Sequence, residues 1–492
     1  MGDAGGGLDG FVVDQSAVEH TLARALQSGG EFAEVFVEDR SGISAVMDAR
    51  RIEELSSGAE RGAGVRVIVG DTTGYAHTTD LSERGMLLAA EAASSVARRG
   101  GGSVSSVQME ALGKSALGKS APGKSARLSG NAGAELEGTR LPSEVPKALK
   151  IELLSVADEA ARSAGGAVSQ VQVGYGDSRR KILVANTDGL LSMDDQVRSR
   201  FSVSCVAMGD AGMQTGYETA AHTRGFEMFD EIDVAELARV AARRALSKLT
   251  ARPAPSGEVP VVLAAGSGGI LFHEACGHGL EADHIAKDAS VYAGRIGEQV
   301  ASSLVTLVDD GSWSSQWGSS VIDDEGNPTR RNVLIDKGVL TGYLWDFVRA
   351  RSDHRGSSGN GRRQSYRHLP MVRMTNTFLL DGPDDPDAIV EGTGSGVYVA
   401  KLGGGQVNTA TGDFVFGTAE AYLIENGRIT EPLRDSNLIG NGPEVLRRID
   451  AVAGDFAMGP GTCGKDGQNV SVGCGQPTLR IAGVTMGGTA DG

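Results

Sequence analysis

Cysteine is scarce: Cys205, Cys276, Cys463 and Cys474 are the four in a chain of 492 residues. So few cannot form a disulfide framework, which fits a reducing compartment with at most one thiol given to chemistry. Long apolar runs are missing as well. Nothing approaches the ~18 residues of a membrane-spanning helix, and Met1-Gly2-Asp3-Ala4-Gly5-Gly6 carries neither a basic nor an apolar leader region. The expected location is the cytoplasm. Positive charge is in deficit: 47 basic against 63 acidic side chains leave −16. Such a surface repels phosphate backbones and anionic lipid, so neither nucleic acid nor membrane is expected as a partner. The pairs Arg330-Arg331 and Arg362-Arg363 are too short to reverse it. Aromatics are few, at 5%, whereas glycine is plentiful, at 71 residues. That balance points to strands joined by long functional loops.

What is present has globular composition, 40% hydrophobic and 22% charged, and the length calls for two or three domains. Amphipathic spacing predicts helices at about 14–28, 82–98, 146–164 and 233–249. Alternation predicts strands at 33–38, 64–69, 74–77, 167–176, 181–186, 198–208 and 259–263. Cys205 falls within such an alternation and reads as a small buried side chain. Between residues 111 and 125 a five-residue unit repeats three times around Gly-Lys-Ser. No apolar strand precedes it, so it reads as a flexible insert rather than a phosphate loop. The Pro-rich segment 252–257 marks a boundary. The expected organisation is an N-terminal α/β unit (1–99), a low-complexity insert (100–146), a second part of the N-terminal α/β region (147–250) and a C-terminal domain (251–492). The fold class is α+β, a mixed α/β N-terminal domain followed by a mainly β domain.

That C-terminal domain carries the densest chemistry, His273-Glu274-Ala275-Cys276-Gly277-His278. Neutral imidazole is a standard zinc ligand, and a carboxylate beside the metal can take a proton from water. The two histidines are five residues apart. On an ideal helix they would point roughly 140° away from each other, so one ion could not reach both. A single wide turn with i to i+5 hydrogen bonding removes that conflict, and a π-bulge is predicted around Cys276–Gly279, eased by Gly277 and Gly279. Two buried structural histidines are the plain alternative. The acidic and imidazole groups that follow, Glu281, Asp283 and His284, weigh against it because they suit outer hydrogen-bond partners of metal ligands. A catalytic zinc needs a third protein ligand and an open position. Glu281 is the candidate by proximity, Cys463 and Cys474 are remote ones, and Cys276 is expected to pack inward.

The run His273 to Asp283 resembles the signature of the TldD/PmbA family of metallopeptidases, in its TldD branch. So do Arg363 to Pro370, Met374 to Thr377, Gly403 to Val407, Gly461 to Gln468 and Gly475 to Leu479, in the same order; the repeat at 111–125 looks like an insertion. The resemblance implies a Zn2+ ion held by His273, His278 and Cys463, with Glu274 as general base. It implies hydrolysis of peptides or unfolded polypeptide, which would bind extended with little sequence preference. It also implies a heterodimer with a related subunit that lacks the zinc motif. Cys474 departs from the pattern, which has an aliphatic residue there. It is either an inert small side chain or a competing thiol.

Around that core the reading adds Gly403, Gly404, Gly405 and Asn408 as backbone and side-chain contacts to substrate. His284, His368 and Tyr366 are the candidates for an oxyanion partner. Two other functions stay open at this stage, an inactive scaffold subunit and a metal-dependent amidase acting on small molecules.

Overall fold

The computed structural model describes residues 13–100, 102–104, 139–210 and 212–488. The repeat at 111–125 therefore lies outside the described residues. The first half of the chain builds one sheet of seven strands. The helix α1 (Gln15–Leu26) leads into β1 (Phe32–Asp48), β2 (Arg51–Val69) and β3 (Thr72–Thr78), and α2 (Glu83–Arg98) follows, with the short β4 (Gly102–Val104) after it. Then come α3 (Lys147–Ser163), β5 (Val168–Asn186), β6 (Leu191–Gly209), β7 (Gly212–His222) and α4 (Val234–Leu249). The strand order β4-β3-β2-β1-β5-β6-β7 makes the architecture an internal repeat: each half runs helix, three antiparallel strands, helix. The halves meet where β1 pairs antiparallel with β5, from Glu34 opposite Asn186 to Asp48 opposite Gln172.

The repeat extends to packing. A Cβ on Gly74 of β3 would lie 2.0 Å from the Ala93 carbonyl of α2, and one on Gly216 of β7 would lie 2.0 Å from the Ala241 carbonyl of α4. Glycine on the strand and alanine on the helix let the backbones touch in both halves. Capping sets the helix starts: Ser82 accepts from the Gly85 amide, and Asp233 accepts from the amides of Ala235 and Glu236. The sequence expectation for the helices holds to within about two residues at each end. The strands are much longer than expected. Residues 167–176 and 181–186 are one strand, because the polar Ser178, Arg179 and Arg180 pair in register with Gly42, Ser41 and Arg40 on one side and with Arg198, Val197 and Gln196 on the other. Alternation marks only the parts of a strand that cover a hydrophobic core.

The second half is mainly β and, beside a two-stranded ribbon, holds two large sheets among the described residues. In one, five strands close into a ring in the order Ser395–Val407, Gly257–Leu263, Leu479–Gly487, Asn437–Asn441 and Asp413–Glu425. The other includes Leu307–Asp310, Asn376–Leu379, Gln468–Gln476 and Ala457–Lys465. The segment from Gly269 to Leu280 lies between them. Phe272, Ala275, Cys276 and Leu280 share a core with Val261, Leu263 and Phe416 of the ring and with Met374 and Leu379.

The two halves of the molecule are locked together by buried charge rather than by apolar surface alone. Arg66 sits between Glu34 (2.5 Å) and Glu325 (2.7 Å), Arg363 reaches Glu34 (2.6 Å), and Arg180 bridges Glu38 (2.5 Å) and Asp324 (2.8 Å). Phe32 stacks on Phe347 at 4.2 Å, and the Tyr75 hydroxyl donates to the Tyr366 carbonyl at 2.6 Å. No helix among the described residues is long and apolar enough to cross a membrane.

Candidate metal centre

The helix that begins at Gly269 widens at its fifth residue. Residues His273–Gly277 form a π turn, in which the amide of His278 donates to the carbonyl of His273, and one 3-10 turn, His278–Leu280, follows it. This is the i to i+5 bond that the five-residue spacing demands, and it begins three residues earlier than the sequence places it. The glycines act differently from the expectation. Gly277 has ordinary helical angles (φ −55°, ψ −52°), so the turn does not use its conformational freedom. It is there for space: a Cβ would lie 2.1 Å from the Met374 sulfur. Likewise a Cβ on Gly279 would lie 2.9 Å from the Tyr292 ring.

The wide turn sets the rings of His273 and His278 with centroids 5.0 Å apart and planes 85° to each other. Cys463 arrives from the strand Ala457–Lys465, with its Sγ 3.4 Å from Nε2 of His278. One donor atom from each of His273, His278 and Cys463 lies within 4.8 Å of the other two, and all three residues are buried. Both ring nitrogens of His273 are buried without a hydrogen-bond partner among the described residues. Two imidazoles and a thiol with donor atoms this close, and ring nitrogens left unsatisfied, are groups that could hold a metal ion. Glu274 stands beside it, its Oε2 3.8 Å from Nε2 of His278, and its side chain keeps 20% exposure.

Glu281, the candidate by proximity, takes an outer place. Its Oε2 is 2.9 Å from Nδ1 of His278 and 2.9 Å from Nζ of Lys465. It thereby fixes the ring so that Nε2 faces Cys463. Lys465 also donates to Asp283 (2.8 Å) and to the Val372 carbonyl (3.1 Å). His284 approaches Glu281 only at 3.9 Å. Arg373, fully buried, donates to the carbonyl of Cys463 and holds the end of that strand. Sequence reasoning missed Lys465 and Arg373. The signal for Lys465 was its place two residues after Cys463, on the same face of a strand.

The charges are strongly coupled. Burial alone would push the Cys463 thiol up, but the imidazoles of His273 and His278 overturn that and bring it down to about 4. Burial opposes a charged His278, and Glu281 with Cys463 raises it nevertheless to about 10. Burial also disfavours an ionised Glu281, yet His278 and Lys465 hold it at about 2. The three values describe one imidazolium–thiolate–carboxylate cluster rather than three independent groups.

The remaining candidates are placed as follows. Cys276 donates inward to the Phe272 carbonyl at 2.9 Å, and Cys205 is buried in the core beneath α3 and α4, both as expected. Cys474 is buried on the same face of the sheet as Cys463 and packs in one cluster with Val470 and Val472. Gly403, Gly404 and Gly405 are not a free loop. They lie inside the strand Ser395–Val407, at a slip in its register with the neighbouring strand. Asn408 opens the following hairpin turn, its amide donating to the Asp413 carbonyl. Tyr366 and His368 belong to the contact between the two halves: the Tyr366 hydroxyl donates to Glu60 at 3.1 Å, and His368 pairs with Ser365 at 2.9 Å.

Comparison with known proteins identifies the family. Residues 256–488 match the PmbA/TldA metallopeptidase C-terminal domain, 140–249 its central domain and 33–97 its domain 1. A metalloprotease TldD homolog of Haemophilus influenzae is 38% identical over 467 residues, 93% of each chain. The chain belongs to the PmbA/TldD family of metallopeptidases. A zinc metalloprotease TldD homolog of Saccharolobus solfataricus is 31% identical over 296 residues, 60% of this chain and 66% of its own. Among solved structures, TldE from Thermococcus kodakarensis superposes with a TM-score of 0.75 at 20% identity, covering 96% of this chain and 99% of that one. The PmbA/TldD fold thus spans both halves of the molecule, the internal repeat included.

Proposed function

We propose that this chain is a zinc metallopeptidase that hydrolyses peptide bonds of unstructured peptides or polypeptides in the cytoplasm. In this reading it is the catalytic subunit of a heterodimer whose other member is a related, TldE-like chain without the zinc motif. The observation that carries it is the convergence of His273, His278 and Cys463 from opposite ends of the second half of the chain, beside Glu274. His273, His278 and Cys463 would hold the ion, and two nitrogens with one sulfur suit zinc. When bound, zinc supplies Lewis acidity to the scissile carbonyl and to water.

The protein's own residues do the rest. Glu274 keeps enough exposure to meet an incoming water, takes its proton at a carboxylate oxygen and passes that proton to the leaving amine. Glu281 and Lys465 hold the His278 ring in one orientation, so that His278 presents Nε2 and not Nδ1. The strand holding Gly403, Gly404 and Gly405, with Asn408 at its end, packs against the π turn, and its backbone is assigned to contact with an extended substrate. Likeness to TldE in fold, together with the sequence resemblance, supports the heterodimer.

The test combines the purified chain with its TldE-like partner and zinc, and offers an unstructured peptide. Cleavage is expected for the wild type and not for Glu274→Gln. Equal cleavage by the variant would remove Glu274 from the mechanism.

A further inference from the structure

A polar cavity of about 140 Å³ lies between the two halves of the molecule, walled by Arg180, Arg198, Arg362 and Arg363, with Trp317 at its side and the exposed Arg40 lining it. Its guanidinium groups are not equivalent. Arg180 and Arg363 have carboxylate partners, as described for the contact between the halves. Arg198 and Arg362 have none among the described residues. Arg198 donates to Gln196 Oε1 (2.6 Å) and to the Ser319 carbonyl (3.0 Å), and Arg362 donates to the carbonyls of Met374 and Ser471 (2.8 Å for the latter). Neutral oxygens thus orient two positive groups without neutralising either. Nε of Arg198 and Nη2 of Arg180 are buried with no partner among the described residues.

The acidic groups nearby do not fill this need. Asp324 is taken by Arg180 and by the Arg363 amide, and Asp323 accepts from the amides of Glu325, Asn327 and Gly361. Burial and the like charges of Arg362 and Arg180 pull Arg198 down to about 9, and burial pulls Arg362 down to about 10. Guanidinium does not lose its proton in proteins, so these depressions express a missing counter-charge.

We propose that this cavity is a carboxylate-binding site that anchors a peptide substrate by its C-terminal carboxylate or by an acidic side chain. The proposal rests on the peptidase reading above. Two pre-oriented guanidinium forks match the geometry of a carboxylate, and the volume admits that group with a short stem. The cavity opens beside a groove of about 480 Å³ on the sheet, which shares Arg40, Ser178, Arg198 and Trp317 with it. The groove is lined by small residues: Cβ atoms added to Gly58 and Gly176 would meet nothing within 4 Å. A polypeptide backbone can lie on such a surface. The cavity is also close to the ligand set. Val470 lines it, pairs across the strands with Cys463 and packs in the same cluster.

The experiment uses the full-length Glu274→Gln protein freed of metal, so that binding is read without cleavage, by calorimetry and by the change in tryptophan fluorescence, to which Trp317 at the cavity contributes. The probes are acetyl-trialanine as the free acid, the same peptide as its amide, amidated peptides with one internal Asp or Asn, and inorganic phosphate. Preference for the free acid over the amide by about tenfold or more, lost in Arg198→Met, supports the C-terminal carboxylate as the source. A comparable preference for Asp over Asn, with acid and amide equal, supports the acidic side chain. Equal binding of all four peptides, or phosphate binding more tightly than any of them, would overturn the proposal. The acid–amide comparison stands on the unsubstituted cavity, so it decides even if Arg198→Met fails to fold. Carboxylate binding intact in a protein that never cleaves peptide would break the peptidase reading alone.

Discussion

Two clusters of buried charge hold this molecule together, and they are finished to different degrees. Between the halves, Arg66, Glu34, Glu325, Arg363, Glu38, Arg180 and Asp324 pair almost completely, each guanidinium with at least one carboxylate. Around His278 the pairing stops short: Glu281 and Lys465 are satisfied on one side, while both nitrogens of His273 have no partner. Balanced buried ion pairs specify how two parts dock, even though Nε of Arg66 and Arg363 and Nη2 of Arg180 lack a partner among the described residues; two unpartnered imidazole nitrogens beside a thiol suit an added ion. The comparison separates positions whose loss unfolds the protein from positions whose loss disables it.

The largest effect should come from the ligand set. Cys463→Ala is expected to lose stoichiometric metal and with it all measurable hydrolysis, while the metal-free protein keeps its fold; elemental analysis and circular dichroism check both. Glu274→Gln should retain the metal and lose roughly 10²–10⁴-fold in kcat, read by peptide hydrolysis under saturating substrate. Retained metal with lost turnover would set these two residues apart as ligand and base. Glu281→Gln, which removes the anchor of the His278 ring, should weaken metal affinity by about 10–100-fold in a competition assay with a chelator.

In the other cluster, Arg66→Met should leave metal content alone and destabilise the protein by roughly 3–5 kcal/mol, because Glu34 and Glu325 stay buried without their partner. Denaturant unfolding measures it, and loss of metal at native stability would blur the distinction between the clusters. The smallest effect expected is in pH dependence. In the metal-free protein His278 is raised from 6.5 to about 10, so its contribution is full below pH 6.5 and lost as pH rises through about 10. Glu281 is lowered from 4.5 to about 2, so its contribution is present above pH 4.5 and lost as pH falls through about 2. The pair therefore stabilises most between about pH 4.5 and 6.5, and the difference in Tm between wild type and Glu281→Gln should peak there.

The two clusters also differ in how far they were legible. The π turn could be derived from the spacing of His273 and His278 alone, because helix geometry forbids a shared ion otherwise. The helices followed from apolar spacing and caps. Cys463 could not be derived that way: it is 185 residues from His278, and only the resemblance to a family singled it out. Arg373, which holds the Cys463 strand, carried no local signature, and Lys465, which holds Glu281, carried only its place two residues after Cys463. The charged layer between the halves was invisible for the same reason, since Arg66 and Glu325 are 259 residues apart. Long polar stretches such as Ser178 to Arg180 read as breaks in a strand, although they are paired throughout, and Ser178 and Arg180 line the arginine cavity. Local patterning reports what packs on a core, and it is silent about polar groups that meet across the chain.

The central claim is that His273, His278 and Cys463 together hold one metal ion, with the thiolate as a ligand. The most direct measurement is the near-ultraviolet absorption of the cobalt-substituted protein, in which a thiolate bound to the ion gives a charge-transfer band. The account expects that band in the wild type at one cobalt per chain and its absence in Cys463→Ser. Stoichiometric cobalt with no such band in the wild type, or a band unchanged in Cys463→Ser, would contradict it.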